Sequence, residues 1–352
     1  MKVVLLAPTP PPRGGIAGWT ERMLKAHLKN DWSIEVVDEK PNEKRGLFGE
    51  KDKRNLFDEI KRCLRIWRNL LEKVKDPEVK VVHSCIPSYA TSMMREYVCA
   101  IISKLYRKRF LIHFRCTVPN SVKGGVSLFL LKRMCRISDR IILLNEQSAD
   151  FVKRYTKTPI VIIPNFVDMS EIADSREINE EVRNVVYVGG VIETKGCMDI
   201  IEVAKRFPNI TFTLVGNPAQ TLKAAAENVS NVILTGAVDS KKVKDHLEKA
   251  DVFMFLTYFL GEGFSNALAE AMAVGLPCIA TDWAANKDMI ANKGGFIVPI
   301  KDTEAASQAL EQMQAYQVRL EQSRYNLSRV REFYAENVVL SQYVDAYEST
   351  IK

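Results

Sequence analysis

Long apolar runs are missing from this chain. No stretch comes near the roughly 18 residues a membrane-spanning helix needs, which excludes an integral helical membrane protein. Cysteine pairs are missing as well. Seven cysteines, an odd number, stand without one C-x-x-C spacing, so neither a disulfide framework nor a zinc site is expected, and buried thiols in a reducing compartment are. The four histidines form no His/Cys/Asp cluster with metal-ligand spacing. Residues 1–7 carry a single Lys and run into Pro8-Thr9-Pro10-Pro11-Pro12, the pattern of an opening strand and not of a signal peptide.

What is present is ordinary in bulk and uneven in detail. A hydrophobic content of 47% with 26% charged residues describes a soluble globular protein, and 352 residues exceed what one ordinary core organises, so two domains are expected. The net charge of +7 conceals an asymmetry. Residues 1–168 hold 32 Lys and Arg against 18 Asp and Glu, a balance of +14, which leaves −7 for residues 169–352. Such a distribution fits a polyanionic or membrane-surface partner for the first half, or simply keeps the protein soluble. No RNA- or DNA-binding motif accompanies the basic residues, so nucleic acid is not an expected partner.

Two alternating sets of strands and helices follow one another. Residues 2–7, 33–37, 79–84, 109–114 and 141–145 read as strands, with helical spacing over 55–75, 89–104 and 127–136. Residues 160–168 read as a strand interrupted by Pro164-Asn165. The second set has strands at 184–190, 210–215, 232–235, 252–256, 278–281 and 294–299. Its helices fall at 196–207, 240–249, 266–274 and from Thr303, and a long helical region covers 328–347. Continuous apolar strands alternating with helices define an α/β protein with two Rossmann-like, doubly wound parallel sheets, whose ligands sit beyond the carboxyl ends of the strands. His113 stands at such an end. Gly14-Gly15 lies between the first strand and the first helix, where bare backbone can approach a phosphate. Residues 40–53 are polar and read as a loop. The helix at 55–75 carries Lys61, Arg62, Arg65, Arg68, Lys73 and Lys75 between its apolar positions. It is either a core helix with a solvated face or one that lies on anionic lipid.

The stretch 257–282 concentrates the chemistry. A loop rich in Gly leads through Gly263 and Phe264 to Ser265 or Asn266, which can cap a helix that Gly275 and Pro277 stop. The partly positive start of that helix suits a phosphate. Glu262 before it and Glu270 about one turn inside it are acids, unsuited to a phosphate and suited to accepting hydrogen bonds from hydroxyls. A diphosphate with a ribose on one side and a sugar on the other would use all three parts.

The string EGFSNALAEAMAVGLPCIATD, with Glu262, seven intervening residues and Glu270, then Gly275-Leu276-Pro277, resembles the signature of the retaining glycosyltransferase family 4. The resemblance extends to Gly14-Gly15, to a His after the fourth strand, to a Pro-Asn hinge in which Phe166 replaces the usual Gly, and to Lys195-Gly196. It departs at Gly190, where that family usually has an Arg. It implies the GT-B architecture, two Rossmann-like domains facing a central cleft, with residues 1–165 binding acceptor, 166–333 binding the nucleotide sugar, and 334–352 a helix crossing back.

The resemblance also implies roles. Glu270 would hold the ribose and Glu262 the transferred sugar. Lys195, the Gly14-Gly15 loop, Gly190 and the N–H groups near Gly263, Phe264, Ser265 and Asn266 would hold the diphosphate. Backbone at Gly236 to Val238 would meet the base, and His113 would sit at the reaction centre, with Arg13 and Arg115 on the acceptor side. Without a D-x-D pair or a protein nucleophile in evidence, the expectation is metal-independent, cofactor-free front-face transfer of a hexose from a nucleoside diphosphate sugar to a glycan or lipid-linked acceptor. The expected location is the cytoplasm, at the inner face of an anionic membrane. The alternatives are a nucleotide-sugar-binding protein without transfer activity, which Gly190 favours, and a nucleotide-sugar isomerase.

Overall fold

A computed structural model describes residues 1–11, 14–40 and 56–352. Arg13 and residues 41–53 of the expected polar loop lie outside the described residues. The chain divides into two compact units, Met1–Asn165 with Asn337–Lys352, and Phe166–Glu336.

The first unit runs β1 (Lys2–Ala7), α1 (Gly15–Lys25), β2 (Ser33–Asp38), α2 (Leu56–Lys73), β3 (Val79–Ile86), α3 (Ala90–Leu105), β4 (Arg109–Phe114), α4 (Val118–Ser121), α5 (Gly125–Ile137), β5 (Arg140–Leu143), α6 (Glu146–Lys153) and β6 (Ile160–Ile162). Its six strands are all parallel, in the order β2-β1-β3-β4-β5-β6. Val3 to Ala7 are fully buried, as a central strand covered on both faces requires. The strand order reverses direction between β1 and β3, and the loops after these strands flank the crevice where doubly wound sheets bind ligands. The expected strand over 160–168 ends at Ile162. Phe166 needs no left-handed backbone, so the residue in the place of the usual Gly is accommodated as an ordinary buried side chain.

The second unit runs β7 (Asn184–Val188), α7 (Cys197–Ala204), β8 (Thr211–Val215), α8 (Gln220–Ala226), β9 (Val232–Gly236), α9 (Ser240–Lys249), β10 (Val252–Phe255), α10 (Asn266–Ala273), β11 (Cys278–Thr281), α11 (Asn286–Ile290), β12 (Gly295–Val298), α12 (Thr303–Gln312) and α13 (Tyr316–Arg329). Its parallel sheet has the order β12-β11-β10-β7-β8-β9, the Rossmann order, with its switch point between β7 and β10. Helix α10 begins and ends where its residues dictate. The Ser265 side chain accepts the Leu268 N–H at 3.1 Å. At the other end Gly275, at φ +72°, donates to Met272 O while Leu276 N donates to Ala271 O, both at 3.0 Å, a Schellman ending.

The long helix expected over 328–347 is broken. A π-helical turn at Val330–Tyr334 is followed by Ala335 in extended conformation, and α14 (Glu336–Ile351) starts afresh. The break has a partner: Val167 N donates to Tyr334 O at 2.8 Å and Glu336 N to Val167 O at 3.0 Å, so the backbone groups that helix would use are satisfied by a strand-like bridge.

Candidate functional site

The loops after β7 and β10, which flank the switch point of the second sheet, carry the residues the sequence singles out. Gly196 cannot be another residue without a shift. It sits at φ +76°, and a Cβ there would lie 2.0 Å from Leu256 O. That close approach, with Tyr258 N donating to Thr194 O at 2.9 Å, locks the two loops together. A short 3₁₀ turn at Glu193–Lys195 then aims the Lys195 ammonium at Glu262, and the two form an ion pair. Their side chains are 18% and 10% exposed, and the ammonium stands over the Phe259 ring at 4.9 Å. Glu262 is fixed from behind: its N–H donates to Phe259 O at 3.0 Å, and Trp283 Nε1 donates to the same oxygen at 2.8 Å.

Phe264 is buried and meets the Tyr334 ring edge-to-face at 5.3 Å. No acidic residue occupies the first turn of α10, whose start carries the positive end of the helix dipole. Gly263 and Ser265 are buried, and Asn266 and Glu270 half-buried. Around Gly190 an added Cβ would meet nothing within 4 Å, and its carbonyl accepts from the Tyr187 hydroxyl at 2.9 Å. Gly236 ends β9 at φ +73°, with Val238 half-buried two residues on. Among the residues expected at the donor, the fold therefore brings Lys195 and Glu262 into contact directly.

In the first unit, Gly14 caps α1 without a side-chain hydrogen bond. Gly14 and Gly15 both border open space, with nothing within 4 Å of an added Cβ. His113 is fully buried. Its Nε2 lies 3.2 Å from Arg115 Nη1 and its Nδ1 3.1 Å from His83 Nε2, while His83 Nδ1 lies 2.8 Å from the Tyr347 hydroxyl. A guanidinium only donates, so it sets the order of the whole chain. Arg115 donates to His113, His113 donates through Nδ1–H to His83, and His83 donates through Nδ1–H to Tyr347. Both imidazoles are neutral: burial first, then the Arg115 charge, pushes His83 down to about 3 and His113 well below the usual histidine range.

Arg115 itself lies over the Trp19 ring at 4.3 Å and donates to Asn165 Oδ1 at 2.6 Å, and among the described residues no carboxylate pairs with it. His83, Cys85 and His113 each bring a ligand atom within 4.8 Å of the others. The guanidinium beside His113 opposes a second cation there, and burial holds the Cys85 thiol protonated far above its usual range. His83, Trp19 and Tyr347 escaped the sequence reading. Their one signal is a histidine inside the strand VKVVHSCI, on the same face as Cys85.

Two doubly wound parallel units of this kind define the GT-B class of fold. Sucrose-phosphate synthase of Thermosynechococcus elongatus shares it with a TM-score of 0.80 at 15% identity, covering 99% of this chain and 98% of that one. Anabaena HepE, solved in complex with UDP, shares it with a TM-score of 0.76 at 13% identity over 99% and 100%. Residues 182–315, most of the second unit, match the model of the family described as Glycosyl transferases group 1, and this span includes the 257–282 stretch. The phosphatidyl-myo-inositol mannosyltransferase of Mycolicibacterium smegmatis is 27% identical over 209 residues, 55% of this chain and 54% of that protein. The chain spans about half the length of this relative. No helix among the described residues is long and apolar enough to cross a membrane.

Proposed function

We propose that this protein is a retaining glycosyltransferase that moves a hexose from a nucleoside diphosphate sugar to a hydroxyl on a glycan or lipid-linked acceptor, in polysaccharide or glycolipid assembly at the inner face of a membrane. The observation that carries this reading is the Lys195–Glu262 pair held at the switch point of a Rossmann sheet beside the positive end of α10. A cation for a diphosphate and a carboxylate for sugar hydroxyls stand side by side, each neutralising the other until a donor separates them.

In this proposal the donor diphosphate takes Lys195 from Glu262 and rests on the N–H groups at Phe264 to Asn266. Glu262 then accepts from sugar hydroxyls and Glu270 from the ribose, while backbone at Gly236 to Val238 meets the base. The bond from the anomeric carbon to the diphosphate oxygen breaks as the acceptor oxygen attacks the same face. The acceptor proton passes to the departing phosphate oxygen, whose charge Lys195 and the α10 dipole stabilise. No metal or cofactor is assigned a step. Arg115, a buried cation that pairs with no carboxylate among the described residues, belongs to the acceptor side, with His113 at the reaction centre beside the acceptor, and the UDP bound by HepE supports a nucleotide ligand.

Calorimetry against UDP-, GDP- and ADP-sugars, followed by assay of nucleotide release, tests the proposal. One donor class is expected to bind and to be hydrolysed slowly, with Glu270→Ala losing both. Binding to no donor would overturn the reading, and binding without turnover in the presence of acceptor would favour the binding-protein alternative. A Glu262→Gln variant that keeps turnover within about tenfold of the parent would exclude Glu262 as a covalent nucleophile.

A further inference from the structure

Glu39 brings a buried oxygen without a partner to the wall of a cavity. It follows the last residue of β2 and is 2% exposed, and its Oε1 has no hydrogen-bond partner among the described residues. Its Oε2 accepts from Arg95 Nη2 at 2.8 Å, its N–H donates to Ala7 O at 3.2 Å, and its carbonyl accepts from Arg62 Nε at 2.7 Å. The residue is thus fixed in place with one oxygen left over. Buried polar atoms are rarely left so, and each exception calls for something that completes it.

The cavity, of about 460 Å³, lies at the carboxyl ends of β1, β2 and β3, and its volume falls within the range of about 300–1,000 Å³ usual for small-molecule pockets. Helices α2 and α3 supply the other walls. Two guanidiniums line it, and each is already matched. Arg62 Nη1 lies 3.2 Å from Glu59 Oε2, and Arg95 Nε donates to Glu96 Oε1 at 2.7 Å beside its bond to Glu39. Ser84 Oγ donates to the other oxygen of Glu96 at 2.8 Å and locks that pair from behind. Among the described residues the wall therefore holds no cation that is not already balanced by a carboxylate. Pro8, Pro87 and the Tyr89 ring give the cavity apolar surface, and Thr91 and Ser92 add hydroxyls.

We infer that this cavity recognises an uncharged sugar ring, with Glu39 as the residue that determines the choice. Apolar patches beside polar groups suit a pyranose, whose C–H faces and hydroxyls need both. A hydroxyl donates as well as accepts, so it completes Glu39 Oε1 whether or not the carboxyl holds a proton. A carboxylate or phosphate only accepts, and it would be desolvated beside Glu39 and Glu59 with both wall guanidiniums committed elsewhere. The ring's part as acceptor rests on the transferase reading, which asks only for a hydroxyl on a glycan or lipid-linked molecule; the pocket narrows that to a neutral sugar. Binding of the ring does not depend on that reading.

Saturation-transfer NMR on the whole chain, without any nucleotide, tests the inference. The probes are the methyl glycosides of glucose, galactose, mannose and glucuronic acid at millimolar concentration. At least one neutral glycoside is expected to bind, and the glucuronide at least about tenfold more weakly. Thr91→Trp, which fills the cavity from an exposed position on α3, should weaken the neutral probe at least about tenfold, and Glu39→Met should do the same. Unchanged far-ultraviolet dichroism and thermal midpoint certify Thr91→Trp as folded, so the test stands even where Glu39→Met does not fold. No saturation of any neutral glycoside would mean that the cavity holds water alone and would overturn the inference. So would a glucuronide that binds best, binding that Thr91→Trp leaves unchanged, or a folded Glu39→Met that binds like the parent. These outcomes are separable from donor calorimetry. A chain that binds the sugar and no donor keeps the pocket and loses the transferase reading, and one that binds a donor and no sugar does the reverse.

Discussion

Acid should weaken the first unit through His83, and the size of the effect follows from its surroundings. The ring is held neutral by burial and by Arg115, with a folded value near 3 against an ordinary 6.5. A group with a depressed folded value contributes stability that is full above about pH 6.5 and is lost as pH falls toward 3, because the unfolded chain binds the proton first. Lowering the pH to 5 crosses about 1.5 pH units of that window, at about 1.4 kcal/mol each, for a loss of about 2 kcal/mol from His83 alone. His113 adds in the same direction.

Glu39 works the other way. Burial, and the neighbouring Glu96, hold its carboxyl well above the usual range, so its contribution is full at low pH and declines as pH rises. Total acid sensitivity therefore mixes signs, and the clean comparison is between the parent and His83→Gln. Glutamine can accept from His113 and donate to Tyr347 but does not titrate here. Urea unfolding at pH 7.5 and pH 5, followed by tryptophan fluorescence, reads mainly this unit, since Trp19, Trp32 and Trp67 lie in it and Trp283 alone does not. The parent should lose about 2 kcal/mol more than the variant over that interval. Equal losses would refute the neutral, ordered chain from Arg115 to Tyr347.

Two substitutions probe the second unit. Gly190→Arg enters open space at a position that needs no left-handed backbone, so stability should stay within about 0.5 kcal/mol. If Lys195 alone serves the diphosphate, the added cation should tighten donor binding roughly ten- to hundredfold by calorimetry; unchanged affinity would mean the diphosphate lies elsewhere. Gly196→Ala is expected to cost about 1–3 kcal/mol for its left-handed backbone, with more from the contact at Leu256 O, read as a lower thermal midpoint. An unchanged midpoint would contradict the locked-loop geometry.

Much of the fold is legible because the strands are locally self-consistent. The strand at Cys278–Thr281 and helix α10 carry their own signals: apolar run, cap, and a Gly stop at φ +72°. The candidate site is legible as far as types and spacing reach. The 262–270 spacing announces two carboxylates before and inside one helix start. That Glu262 spends its charge on Lys195, 67 residues earlier, follows only from the packing of two loops at one sheet edge. The chain of Arg115, His113, His83 and Tyr347 is harder still, since its last link joins residues 264 positions apart.

Helix α2 shows where periodicity stops informing. Its apolar residues recur at helical spacing from end to end, yet the second half meets the core and the first half meets solvent. The sequence period fixes which side chains share a stripe. It says nothing about how far along that stripe the neighbouring helix extends, because that length is set by where α3 and the sheet beneath it end. The boundary between the exposed and the buried half, between Leu64 and Ile66, is a property of the fold.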